Sequence, residues 1–435
     1  RKHCQIGSHL QMFFQPVTGA IGLTGRNPRS FIMSASASNK LEFSSFDPFG
    51  EEFRDNPISF DEKLLNDSPG FMLMEGDVPS AYIAKYDQCL QALGNWELFS
   101  SVKPPNLPGM QRVDFFNGMP VMNYSDPPQH DRLRRVVNVA FAPGRVRKLA
   151  DYTDSVVKEL VDNIEPGKPF DGMQDIGRPL AVKVLFDEFL GIPAEDQHIF
   201  FEFGATFYLL DKLKPGDPKP KEYIEGWKKG EAYLREVLAN ADKEDRKNVL
   251  SMIANASESG TMSDSEMMAM VCVLFTGGVP TVSAMGASSM HYLAKYPDIA
   301  ERIRKDENLA KAFCEEVYRL DAPVSLVMRF ATQDVDVGGR TIPEGTPVYT
   351  MISMANRDPD QFENPLEFNI DREENRHLAF GNGTHVCIGN AITRMILPKI
   401  VVEMANRYPS LRLDPESSGV WETTPRSRHR IKVPL

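Results

Sequence analysis

Between about residues 79 and 320, apolar residues recur at spacings of three and four along much of the chain. That is the period of a helix with one buried face. It predicts helices over 129–150, 151–163, 194–210, 221–240, 263–295 and 308–320. Two breakers, Pro-Pro-Asn-Leu-Pro-Gly at 104–109 and the charged loop Lys-Pro-Gly-Asp-Pro-Lys-Pro-Lys at 214–221, punctuate the series. Ser-Asp-Ser-Glu at 263–266 has the pattern of a capping box. The helix it opens runs to about thirty residues, far longer than the usual globular helix of about 11–12. After Arg319 the pattern changes to short alternating runs, VMRFA, VDVGGRTIP and TPVYTMI, with Gly338–Gly339 as a turn. A last helix is predicted from near Ile388 to about Tyr408, and strand-like HRIKVPL closes the chain. No repeat or low-complexity segment interrupts this order. The expectation is a single, mainly α domain with a small β portion near the C-terminus.

Composition narrows the class. The 435 residues carry 49 basic and 60 acidic side chains, a net charge of −11, which argues against a nucleic-acid-binding chain. No stretch is expected to reach the roughly 18 apolar residues of a membrane helix. The five cysteines (Cys4, Cys89, Cys272, Cys314 and Cys387) are odd in number, scattered and free of any CxxC pair. A disulfide framework or zinc site is therefore not expected, and a soluble protein of the reducing cytoplasm is. Residues 1–32 begin with Arg and differ in texture from the rest. Gln15, Pro16 and several glycines interrupt the apolar segment MFFQPVTGAIGLTG, against a signal peptide. Residues 1–32 are set apart as an atypical segment of upstream or expression-derived origin, and the domain is taken as 33–435.

The richest local signal is HLAFGNGTHVCIGN at 377–390. A cysteine at the start of a helix, approached through a glycine-rich turn, sits where backbone N–H groups and the helix dipole favour a thiolate. Glycines at 381, 383 and 389 allow backbone packing that a side chain would block. For an isolated cysteine, a buried free thiol in a tight loop would be the plainer account. Here the spacing Phe380, Gly381, Gly383, His385, Cys387, Gly389 resembles the haem-binding signature F-G-x-G-x-H-x-C-x-G of cytochromes P450, with no position missing.

That resemblance implies haem b (iron protoporphyrin IX) with Cys387 as its metal ligand. The electron-rich iron that thiolate ligation produces is described for this same family. Other landmarks follow in order. Glu316–Val317–Tyr318–Arg319 resembles the E-x-x-R pair that braces the haem-side core, although alone such a pair is usually a solvated surface feature. Ala-Asn-Arg-Asp-Pro at 355–359 adds to the series. Arg329 stands where the family reaches a haem propionate, and DPPQHDRLRRVVNVAFAP resembles the helix that offers His130 and Arg134 to the same groups. At i and i+4 the last two share one helix face. His385 would be a fourth donor, and Phe380, Gly381 and Gly277 would also contact the cofactor.

The chain departs from the family in the long helix. Where the family shows an acid followed by threonine, this chain has Gly277–Gly278–Val279–Pro280–Thr281. The resemblance assigns the alcohol and acid to proton delivery during oxygen activation. Proline carries no proton and removes the N–H that would bond the Thr276 carbonyl. Two outcomes are open, a kink that only shapes the pocket or an altered proton relay. The Thr281 hydroxyl is expected to bond back to the Gly277 carbonyl.

The expected function is insertion of one oxygen atom from O2 into an apolar or aromatic small molecule. Thr276, Val279, Val324, Leu326 and Val327 would line the pocket. Segments 104–122 and 200–210 would cover it, although such aromatic stripes also serve as core. Arg112 is either a carboxylate anchor or a solvated loop residue. Electrons would come from a separate ferredoxin and ferredoxin reductase, docking on Arg135, Arg145, Arg147, Lys148 and Arg394. The alternatives are a peroxide-driven enzyme, a coupling or other atypical oxidation, and a non-catalytic homologue. Peroxide-using relatives place an arginine beside their proline, which this chain lacks, and retention of Cys387 with all four propionate donors weighs against a non-catalytic role.

Overall fold

The computed structural model describes residues 65, 71–74, 80–104, 116–211, 213, 217–241, 249–417, 419–423 and 427–435. The expectations for residues 1–32, for a domain start at 33, for residues 105–109 of the first breaker and for Arg112 lie outside these residues. Strands β1 (Phe71–Met74) and β2 (Ser80–Ile83) come first, then helix α1 (Tyr86–Gly94) and the two-residue β3 (Phe99–Ser100). Helices α2 (Gln129–Asn138) and α3 (Pro143–Asp162) follow. Two π-helical segments, Gly172–Gly177 and Lys183–Leu190, flank the short α4 (Arg178–Val182). Then come α5 (Gln197–Asp211), α6 (Lys221–Ala239), α7 (Val249–Glu258), α8 (Asp264–Lys295), α9 (Pro297–Lys305) and α10 (Leu309–Leu320). Strands β4 (Leu326–Ala331), β5 (Val335–Val337), β6 (Arg340–Ile342) and β7 (Pro347–Met351) precede α11 (Ile352–Ala355) and α12 (Asn390–Arg407). The hairpin β8 (Val420–Thr423) and β9 (Arg428–Lys432) ends the order.

The expected mainly helical architecture is present, with three corrections. The helix predicted over 129–150 is two helices. Ala142 is extended, at φ −63° and ψ 146°, because the ring of Pro143 disfavours helical backbone before it, and Pro143 then opens α3. The sheet is not confined to the C-terminal part. Its strand order is β1-β2-β7-β4-β3, with β2 parallel to β7, so three strands from the first hundred residues close around the C-terminal β4–β7 pair. The third concerns α8, whose most apolar window has a mean hydropathy of 1.7, long and apolar enough to cross a membrane. That window is 61% buried in the protein, because α8 is the central core helix.

Helix α8 starts as its sequence dictates. The Ser263 hydroxyl accepts from the Glu266 N–H at 3.2 Å, and the Glu266 carboxylate accepts from the Ser263 N–H at 2.8 Å. Arg132 of α2 ion-pairs with the same carboxylate, tying the two helices. Phe203 of α5 packs on Trp227 and Phe275 with ring centroids 5.3 and 6.1 Å away, so this part of the 200–210 stripe is core. The helical core and one of two smaller apolar clusters around the sheet then hold the segment 377–390 between α1, α2 and α10.

Candidate active site

The cysteine loop is shaped by its glycines. Gly381 and Gly383 have φ of +70° and +68°, the left-handed region that side chains disfavour. A Cβ on Gly383 would stand 2.8 Å from the Leu93 carbonyl and 2.9 Å from Gly94 Cα, so the loop is pressed against the end of α1. The Cys387 N–H donates to the Phe380 carbonyl at 2.8 Å, three residues before α12 begins. The cysteine is exposed, yet burial pushes its thiol up, opposed by the Gly389 and Asn390 N–H groups and by the Arg134 and Arg394 charges. Both statements hold for a sulfur facing a recess rather than bulk solvent. The other described cysteines, Cys89, Cys272 and Cys314, are buried free thiols.

The expected basic donors converge on this loop. His130 is buried on α2, its ring centroid 4.3 Å from that of His385. Its Nδ1 lies 3.0 Å from Asp131, while its buried Nε2 has no hydrogen-bond partner among the described residues. Arg134, one turn on, donates to the loop carbonyls of Thr384 at 3.2 Å and Val386 at 2.7 Å. Burial, with Arg329, His130 and Arg134 around it, pushes the His385 imidazole down to about 3. Arg329 is buried on β4. A site that crowds cations in this way suits anionic carboxylates.

Behind the loop, Glu316 and Arg319 are fully buried and paired at 2.8 and 2.7 Å. Arg319 also donates to the carbonyls of Asn356, Pro365 and Glu367, and Glu316 accepts from Arg372, Asn375 and the Asn369 N–H. Every charged atom has a partner, as a buried pair requires. The pair anchors the segment that leads into the loop.

On α8, residues 266–273 and 282–290 are all buried, but Gly277 is exposed and Thr276, Gly278, Pro280 and Thr281 are half-buried. Thr281 Oγ1 donates to the Gly277 carbonyl at 2.7 Å, as expected, and also reaches the Gly278 carbonyl at 3.1 Å. A Cβ on Gly277 would meet nothing within 4 Å. The helix thus opens at its middle onto free space.

The residues expected to line the pocket fall in different apolar clusters. Val279 is buried in the helical core, whereas Leu326 belongs to a cluster with Tyr82, Met351 and Met354. Val327 packs on a different cluster, since neighbours along a strand point to opposite faces. Val324 is exposed and bridged to Ser427. Arg394, expected on a docking patch, is exposed and also paired with Glu315 at 2.7 and 2.8 Å. Its guanidinium lies 4.6 Å from the Phe380 ring centroid, and His377 Nε2 lies 3.1 Å from Glu315.

Three participants escaped the sequence reading. Ser101 Oγ is 3.1 Å from His385 Nε2, across 284 residues, and nothing near Ser101 in sequence signals it. Glu315 and His377 stand beside recognised motifs, which was the available clue.

The unpartnered Nε2 of His130, the exposed Cys387 thiol and the open face at Gly277 fit a haem. Comparison with known proteins agrees. The cytochrome P450 family profile matches residues 49–418. The cytochrome P450 monooxygenase PikC of Streptomyces venezuelae is 32% identical, over 72% of this chain and 74% of its own. Among solved structures, the P450 enzyme CxnD for C–S bond formation in chuangxinmycin biosynthesis superposes with a TM-score of 0.80 at 24% identity, covering 91% of this chain and 98% of that one. P450BioI, solved with a hexadec-9Z-enoic acid ligated acyl carrier protein, gives a TM-score of 0.77 at 26% identity, covering 88% and 99%. The family match over residues 49–418, a span that includes the loop carrying Cys387, makes this protein a member of the cytochrome P450 family and an oxidoreductase.

Proposed function

We propose that the protein is a haem-thiolate monooxygenase that inserts one oxygen atom from O2 into an apolar or aromatic small molecule. The observation that carries this reading is the exposed Cys387 thiol, set in the glycine-shaped loop on which His130, Arg134 and His385 converge. Haem b, when bound, supplies the binding and reductive activation of dioxygen. Cys387 would hold its iron through sulfur. His130, Arg134, Arg329 and His385 would hold its propionates, and Phe380, Gly381 and Gly277 would lie against the macrocycle. Thr281 Oγ1 would hold a proton at the open face of α8, while Pro280 supplies none. Thr276 and Val279 would border the substrate. Electrons would arrive from a ferredoxin reduced by its own reductase, docking around the exposed Arg135, Arg147 and Lys148 with the half-buried Arg145 nearby.

The reduced protein with carbon monoxide is expected to show the red-shifted Soret band of thiolate-ligated haem, and Cys387→Ala is expected to lose it. Persistence of that band in the variant would assign the ligand elsewhere. Pro280 in the acid's place favours a second reading, peroxide-driven oxidation. Product formed per NAD(P)H consumed, beside an assay driven by hydrogen peroxide alone, separates the two. Under the monooxygenase reading, Thr281→Ala lowers coupled product by on the order of tenfold or more, and Pro280→Asp raises it. Faster turnover with peroxide, unaffected by Thr281→Ala, would select the second reading.

A further inference from the structure

The turn of α8 that opens at Gly277 contains a carbonyl its own helix leaves without the usual donor. Pro280 has no N–H, so the Thr276 carbonyl loses the bond that residue 280 would give. The local hydroxyls are committed elsewhere. Thr276 Oγ1 donates to the Cys272 carbonyl at 2.8 Å. Thr281 Oγ1 donates to Gly277 and Gly278, at 2.7 and 3.1 Å. The flanking stretches 266–273 and 282–290 are buried, and only this turn opens, with nothing within 4 Å of a Cβ on Gly277.

We propose that the Thr276 carbonyl, left without its helical donor by Pro280, is a recognition acceptor that selects ligands carrying a hydroxyl or N–H donor close to the position to be oxidised. This names the substrate class of the proposed monooxygenase and rests on that reading. A half-buried carbonyl that lacks its helical donor gains from a donor brought in by the ligand. The same donor would stand beside Thr281, on the turn where the family's acid is missing. Pro280 thus acts as a specificity determinant through backbone chemistry, not through side-chain contact.

The test uses the haem-loaded ferric protein and ligand pairs that differ in one donor, indole with 1-methylindole and 1-naphthol with 1-methoxynaphthalene. Dissociation constants from spectral titration are expected to favour the donor member of at least one pair by about three- to tenfold. Pro280→Ala, which returns an N–H to the Thr276 carbonyl, is expected to bring that ratio to about one. Thr276→Val keeps the carbonyl and is expected to keep the ratio. No preference in either pair overturns the inference, as does a Pro280→Ala variant that weakens both members equally. Loss of the preference in Thr276→Val would give the recognition to the hydroxyl and also overturn it. The carbon monoxide band of the same samples keeps the two readings apart. A normal band without donor preference removes only this inference, whereas a native protein lacking the band removes the proposed function.

Discussion

Glu315 and Glu316 are neighbours on α10 with opposite surroundings. Glu316 is sealed between Arg319 and Arg372, and removing one partner from such a buried pair costs about 3–5 kcal/mol. Glu315 holds Arg394 and His377 at the edge of the cysteine loop. Burial pushes its carboxyl up, but hydrogen bonds from Arg394 and His377 outweigh this and hold it at about 2, against an ordinary 4.5. A carboxyl depressed in the folded state stabilises fully above its unfolded pKa, and the contribution fades as pH falls through the folded one. Glu315→Gln should therefore be less stable than the native protein above pH 4.5, with the difference shrinking towards about pH 2. Urea unfolding midpoints across that window give the measurement. A difference that does not change with pH would mean that Glu315 contributes no charge-dependent stability.

Among the elements, α8 shows how far a local pattern reaches. Its capping box is written in four consecutive residues and forms as written. Ser263→Ala should cost about 1 kcal/mol in unfolding free energy, whereas Ser263→Asp, which can still accept from the Glu266 N–H, should cost much less. Equal losses in the two variants would argue against the cap. The segments around α4 were not anticipated, because Gly177 and Pro179 read as breakers and π-helical turns blur the 3.6 period. The strands β1, β2 and β3 were missed because each is at most four residues long, and β2 and β3 also take partners from distant parts of the chain.

Across the whole molecule, charge is uneven. On a chain of net charge −11, Arg135, Arg147 and Lys148 are exposed beside the exposed apolar Val139, and Val386 is exposed on the cysteine loop itself. In the proposed docking of an acidic iron–sulfur protein, these charges would steer the encounter and the apolar contacts would hold it. Its association rate should fall about tenfold or more as salt rises, since exposed charges are screened beyond about 8 Å at physiological ionic strength. Arg147→Glu with Lys148→Glu should lower the low-salt rate and flatten that dependence. Arg394→Ala should have little effect on it, because Glu315 already neutralises Arg394. Stopped-flow electron transfer at several salt concentrations measures both, and a salt-independent rate would place docking elsewhere.

The sequence by itself determined what is encoded within a few residues. The spacing from Phe380 to Gly389, the Glu316–Arg319 pair, the Ser263–Glu266 cap and the back-bonding hydroxyl of Thr281 each rest on covalent neighbours and one helical turn. Tertiary structure decided which of these signals meet. It set His130 against His385 and brought Ser101 to His385. It also turned Arg394 from a free surface charge into the partner of Glu315, and placed Leu326 and Val327 on opposite faces of one strand. Those choices depend on packing between segments up to 284 residues apart, where the energy of a contact carries no period along the chain.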